Sequence, residues 1–121
     1  MRSLLTFSLL GVMATPTHAS DALSDMFASC TGRLSAQLEH AWLVGTPSEE
    51  IQAQRQAMVT LLEAVMTPDR GRQVLAIRID AKHAQAALLT RATFNDDAED
   101  AEWALRRAEV EVAHCASLLL S

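Results

Sequence analysis

Two cysteines 85 positions apart, Cys30 and Cys115, constrain this 121-residue chain more than any other feature. If they pair, the first and last segments of the folded domain must lie side by side. Pairing also needs an oxidising compartment, and the start of the chain carries an address for one. Arg2 supplies a positive n-region, Leu4–Ala14 a short apolar core, and Thr17-His18-Ala19 a small-x-small cleavage site after the break at Thr15-Pro16. The apolar run is far shorter than the roughly 20 residues needed to span a bilayer. Residues 1–19 are therefore expected to be a signal peptide and 20–121 the exported domain, in the periplasm or secreted. Nine of the ten basic residues are arginine, which suggests a GC-rich bacterial genome and so favours periplasm over eukaryotic secretion.

The domain reads as helix throughout. Half of the residues are hydrophobic, with only 4 Gly and 3 Pro, and no stretch alternates as a strand would. Four helices are expected, over about 21–44, 47–66, 68–93 and 96–119. In the first, Leu23, Met26, Phe27, Cys30, Leu34, Leu38 and Ala41 recur at three- and four-residue steps, and Gly45 suits the left-handed position that ends it. Thr46-Pro47-Ser48-Glu49 is a cap, a proline at the first helical position and a capping-box Glu. The second helix follows, with Ile51, Met58, Leu61, Leu62, Val65 and Met66 on one side. Thr67-Pro68-Asp69 repeats the signal ahead of Val74, Ile77, Ala81, Ala84 and Leu88. Asn95 is the expected cap of the fourth helix, whose seam is Ala98, Ala101, Leu105, Ala108, Val112, Cys115 and Leu119. That heptad spacing suits close antiparallel packing. Short connections between four such helices predict an all-α, up-down-up-down four-helix bundle.

This topology makes the first and last helices antiparallel neighbours. Cys30 lies some ten residues into one and Cys115 about five from the end of the other. At ~1.5 Å per residue their depths differ by only about 7 Å, and both fall on apolar stripes. A Cys30–Cys115 disulfide joining helices 1 and 4 is the expectation, without the C-x-x-C spacing of a redox pair.

Charge narrows the partners. The full chain carries a net charge of −5, and loss of Arg2 with the leader makes the domain more acidic still. Such a surface disfavours nucleic acid and anionic lipid, and no membrane span is expected after leader cleavage.

The sites that helical bundles commonly build fit poorly. Glu111-Val112-Ala113-His114 has the E-x-x-H spacing of di-iron bundles, and Asp80-Ala81-Lys82-His83 nearly so. Helical phase, however, turns His114 and His83 away from the core, and no metal is expected. Met26 and His114 resemble the haem-ligand layout of cytochrome b562-type bundles. That resemblance is two residues wide, and no cofactor is expected. Asn95-Asp96-Asp97-Ala98-Glu99-Asp100 lacks the glycine and distal Glu of a calcium loop, and reads as carboxylates favouring a helix N-terminus. No nucleophile–base set or phosphate loop can be assembled, so no catalytic residue is assigned.

One feature resists a bland reading. Trp103, Arg107, Val110 and His114 follow one another on the outer face of the fourth helix, and such residue types are enriched in protein contacts. Trp42 and Phe94 belong at the same end of the bundle as Trp103. The competing account is local, with Trp103 folded over Phe94 and the turn beside it. The expected function is thus non-enzymatic binding of another protein, as an accessory or assembly subunit of an envelope complex, through Trp42, Phe94, Trp103, Arg107, Val110 and His114. The alternative is a haem, metal or small-ligand carrier.

Overall fold

The computed structural model describes residues 17–120. The leader expected over residues 1–19 lies, up to residue 16, outside the described residues. Four helices, α1 (Thr17–Val44), α2 (Glu49–Val65), α3 (Gly71–Phe94) and α4 (Ala98–Leu118), form an up-down-up-down bundle, with one 3-10 turn at Pro68–Arg70. Polar contacts fix their directions. The Ser20 hydroxyl donates to the Val65 carbonyl at 3.1 Å, joining the start of α1 to the end of α2. Arg70 pairs with Asp21 and Asp25, so α3 starts beside the start of α1 and runs parallel to it. Arg91 and Asp100 join the end of α3 to the start of α4. Among the described residues there is no strand, and no helix is long and apolar enough to cross a membrane.

The punctuation holds in outline and moves in detail. Gly45 adopts φ 73°, and the Thr46 amide donates to the Ala41 carbonyl at 3.0 Å, the six-to-one bond that closes a helix through a left-handed residue. Thr46 thereby belongs to the end of α1 and does not cap α2. Ser48 takes that position, and its amide donates to the Glu49 carboxylate at 3.1 Å. Thr67-Pro68 opens the 3-10 turn and not α3 itself. Asn95 is likewise displaced as a cap. Its side chain accepts from the Asp97 amide, making a turn of its own, and Asp97 then accepts from the amides of Glu99 and Asp100 at 3.1 and 3.2 Å.

The disulfide forms where expected. Cys30 and Cys115 lie 5.4 Å apart at Cα, and both are buried. Leu34 and Met58 join them in one apolar cluster, with Phe27, Leu61, Val112, Leu118 and Leu119 around it. A second cluster of Ala28, Leu62 and Val74 joins α1, α2 and α3 one turn further along α2 from Met58.

The most extensive packing, however, is between α1 and α3, the diagonal pair of the bundle. Ala28, Gly32 and Ala36, at four-residue spacing on α1, are all buried. A Cβ on Gly32 would overlap the Arg78 carbonyl oxygen of α3 and lie 3.0 Å from the Lys82 amide nitrogen. Small residues here let two backbones touch; Cys30, Leu34, Leu38 and Ala41 of the expected stripe stay buried, but its first turns are displaced. Leu23 and Met26 are consequently exposed, while Ser24 and Thr31 are buried. Both hydroxyls stay satisfied by donating one turn back, to the carbonyls of Asp21 and Phe27.

The stripes of α3 and α4 hold at Val74, Ala81, Ala108 and Cys115 and shift elsewhere. Gln85 and Leu89 are buried where Ala84 and Leu88 were expected. Ala104 is buried in place of Leu105, because close helix contact favours the smaller side chain and leaves Leu105 on the rim. Gln85 is polar yet fully buried. It accepts from Arg33 at 3.0 Å and donates to the Gln37 side chain at 3.2 Å and the Ala108 carbonyl at 3.1 Å, linking α1, α3 and α4. Gln85→Ala would leave the buried Ala108 carbonyl and the half-buried Gln37 oxygen without that donor. An unfolding free energy about 2–3 kcal/mol lower is expected by urea titration. A loss below roughly 0.5 kcal/mol would mean that the network is not holding the three helices together.

Candidate functional site

α2 is the shortest helix, 17 residues against 28 in α1 and 24 in α3. Its Leu62 shares a cluster with Ala28 of α1 and Val74 of α3, towards its C-terminal end. Further towards the α1–α2 turn a cleft of about 390 Å³ opens over α1, between α2 and α3. Its floor is α1: Gly32 and Ser35 leave it low, and Leu38 and Trp42 continue it. One wall is Leu75, Arg78, Ile79 and Lys82 of α3, and the other is Arg55 of α2.

The cleft is apolar below and basic above. Trp42, Leu75 and Ile79 are 59%, 55% and 45% exposed, so large apolar surface on one side of the molecule is left without a cover. Such surface is generally a contact site when it is contiguous and rimmed by polar groups. Arg55 donates to the Ser35 hydroxyl at 2.7 Å, which itself donates to the Thr31 carbonyl, holding the guanidinium at the edge. Lys82 pairs with Glu39 at 2.6 Å. Arg55 and Arg78 form no ion pair among the described residues. Three cations thus face one carboxylate in a chain that is acidic overall.

The residues singled out from sequence are distributed over more than one surface. Trp42 lines this cleft. Phe94 is exposed at the same end of the bundle, on the last residue of α3. Trp103 lies instead in a shallow surface depression with Arg91, Asp97, Glu99 and Asp100. The Arg91 guanidinium sits 5.2 Å from its ring centroid, a cation–π distance. Arg107 pairs with Glu111 at 2.7 Å, and Glu111 also faces Arg33 at 3.4 Å. Val110 and His114 are exposed. Met26 and His114 line one depression beside the disulfide. Its 140 Å³ holds roughly four or five waters by liquid volume, far less room than a haem requires. His83 is exposed, and His40 hydrogen-bonds Thr93 at 3.1 Å. No group of three or more His, Cys, Asp or Glu side chains is placed to hold a metal among the described residues.

Sequence reasoning missed Arg55, Leu75, Arg78 and Ile79. A signal was present: Leu75 and Ile79 are four apart and lie off the Val74–Ala81 stripe, so α3 carries apolar residues on a second face.

The acidic turn at the start of α4 has a role without any ligand. The Arg91 guanidinium holds the Asp100 carboxyl below its ordinary value of 3.8, and the Asn95 amide adds to the effect. A depressed folded-state pKa contributes stability that is present above the unfolded value and lost as pH falls through the folded one. The melting temperature is therefore expected to fall more steeply below about pH 4 in the native chain than in Asp100→Asn. Parallel pH profiles would remove this pair from the stability of the α3–α4 turn.

No protein-family model matches the chain, and neither a curated protein nor a solved structure is found to be similar to it.

Proposed function

We propose that this is a non-enzymatic exported protein that binds another protein, as an accessory or assembly subunit of an envelope complex. The observation that carries this reading is the cleft over α1, where Trp42, Leu75 and Ile79 are exposed together beneath a charged rim. The leader pattern and the buried disulfide favour a periplasmic or secreted setting. The helices supply a rigid frame, and the aromatic and arginine side chains at the cleft are types that anchor protein interfaces.

A photo-crosslinking residue at Ile79, introduced into the exported protein in its native host, tests the reading. A discrete protein adduct is expected from position 79 and not from Leu23, which is exposed at the opposite end of α1. If neither position yields a protein adduct, the reading fails. A second reading rests on the cleft volume, which falls within the range of small-ligand sites. It predicts a constant non-protein mass increment on the native protein by mass spectrometry, lost in Ile79→Asp.

A further inference from the structure

We propose that the occupant of the cleft is an amphipathic helix of another protein, apolar on one face and flanked by acidic side chains. The inference rests on the protein-binding reading above and names the chemistry of the partner. Three features of the cleft point to it.

The first is length. The floor runs from Gly32 to Trp42 along α1, which at ~1.5 Å per residue is roughly 15 Å, or about three helical turns. Exposed apolar side chains recur along it at helical spacing, Leu75 and Ile79 on one side and Trp42 on the floor. A helix with apolar residues at i, i+3 or i+4, and i+7 presents knobs at this repeat. The second is charge. Arg55 stands on one wall and Arg78 with Lys82 on the other, so both flanks of an inserted helix meet positive groups. Glu39 is the sole carboxylate of the lining and is already paired with Lys82. Carboxylates on the two edges of an incoming helix complement this rim, and lysines there meet repulsion. The net negative charge of the chain as a whole disfavours docking of an acidic helix elsewhere. The third is openness. The cleft lies open to solvent along the α2–α3 gap, and a ligand site normally buries 70–90% of a small molecule. An acyl chain lying here leaves one side in water, whereas a helix keeps its polar face outward by construction.

The test uses the native fluorophore. Trp103→Phe leaves Trp42 as the single tryptophan of the chain. Two helix-stabilised peptides of about 14 residues, long enough for three to four turns, share a leucine face and differ only in flanking Glu or Lys. The Glu peptide is expected to shift Trp42 emission saturably, and the Lys peptide to bind at least roughly tenfold more weakly. Arg78→Glu and Ile79→Asp should each weaken the Glu peptide by about tenfold or more with unchanged circular dichroism, and added salt should act in the same direction.

Equal binding of the two peptides overturns the charge argument, and with it the proposal. Saturation by laurate with both peptides silent overturns it in favour of a small amphiphile. Self-association of the chain that is abolished by Arg78→Glu makes the occupant a second copy. A protein adduct at position 79, combined with preference for the Lys peptide, leaves the protein-binding reading standing and defeats this one.

Discussion

Gly32→Ala should destabilise the bundle by about 2 kcal/mol or more, while Gly71→Ala should stabilise it by about 0.5–1 kcal/mol. The two changes are chemically identical and both place alanine within helical backbone. Alanine is intrinsically better than glycine in a helix by roughly 1 kcal/mol. At Gly71 nothing lies within 4 Å of the added Cβ, so the propensity gain is realised. At Gly32 the added carbon meets the Arg78 carbonyl oxygen, the Lys82 amide and the Ala81 side chain at once. Two of these atoms are backbone, so no rotamer change relieves the overlap and α1 must move away from α3. Overpacking of this kind costs typically 1–3 kcal/mol and occasionally more. Here it acts on the most extensive helix interface among the described residues and outweighs the propensity gain. A domain of this size shifts by roughly 4–8 °C per kcal/mol. Gly32→Ala should therefore melt about 10 °C or more below the native chain, and Gly71→Ala a few degrees above it. Equal melting temperatures for the two variants would show that the α1–α3 approach is not set at Gly32.

Reducing the disulfide, or replacing both residues as Cys30→Ser and Cys115→Ser, should cost about 4 kcal/mol. The chain-entropy account gives a loop of 85 residues roughly 4–5 kcal/mol as an upper value. That is a large share of the 5–15 kcal/mol typical of a folded domain. The loss should also have a location. α4 packs mainly on α3 and only narrowly on α1, where the disulfide and the Arg33–Glu111 pair supply the polar and covalent links. Hydrogen exchange should consequently rise first in the last turns of α4, from Glu111 to Leu118, while Leu34 and Ala81 at the α1–α3 interface remain protected. The urea dependence should steepen on reduction, since an uncrosslinked unfolded chain exposes more surface. Unchanged melting on reduction would mean that packing alone holds α4 in place.

The candidate site was the least legible part of the chain. Trp42 was visible as an unusual residue at a helix end, and the cleft does include it. Trp103 drew attention as the head of an outward stripe on the fourth helix, yet its ring lies under Arg91 in a different depression. An aromatic residue announces a need for contact without saying where the contact comes from. Leu75 and Ile79 looked like ordinary helix residues because their significance depends on the gap left between α2 and α3, which only the packing of both on α1 sets. Arg55 and Arg78 come from helices separated by a turn, and only the fold sets them on facing walls.

By itself the amino-acid order determined the number of helices, their alternating direction and the pairing of Cys30 with Cys115. Each follows from local physics: three-to-four-residue periodicity, glycine and proline at the breaks, and the helical rise that matches the two cysteine depths. Tertiary structure decided which faces meet. The smallest residues of α1, Ala28, Gly32 and Ala36, form a face as well spaced as its leucines, but an apolar-periodicity reading gives them little weight. Backbone contact across that face draws α1 onto α3 and carries Gln85 inward, where three hydrogen bonds to α1 and α4 satisfy it. Leu23 and Met26 are left outside by the same approach. A stripe in one helix records that it has a buried side. The depth of each side depends on how closely the partner backbone can come, and that is a property of two helices together.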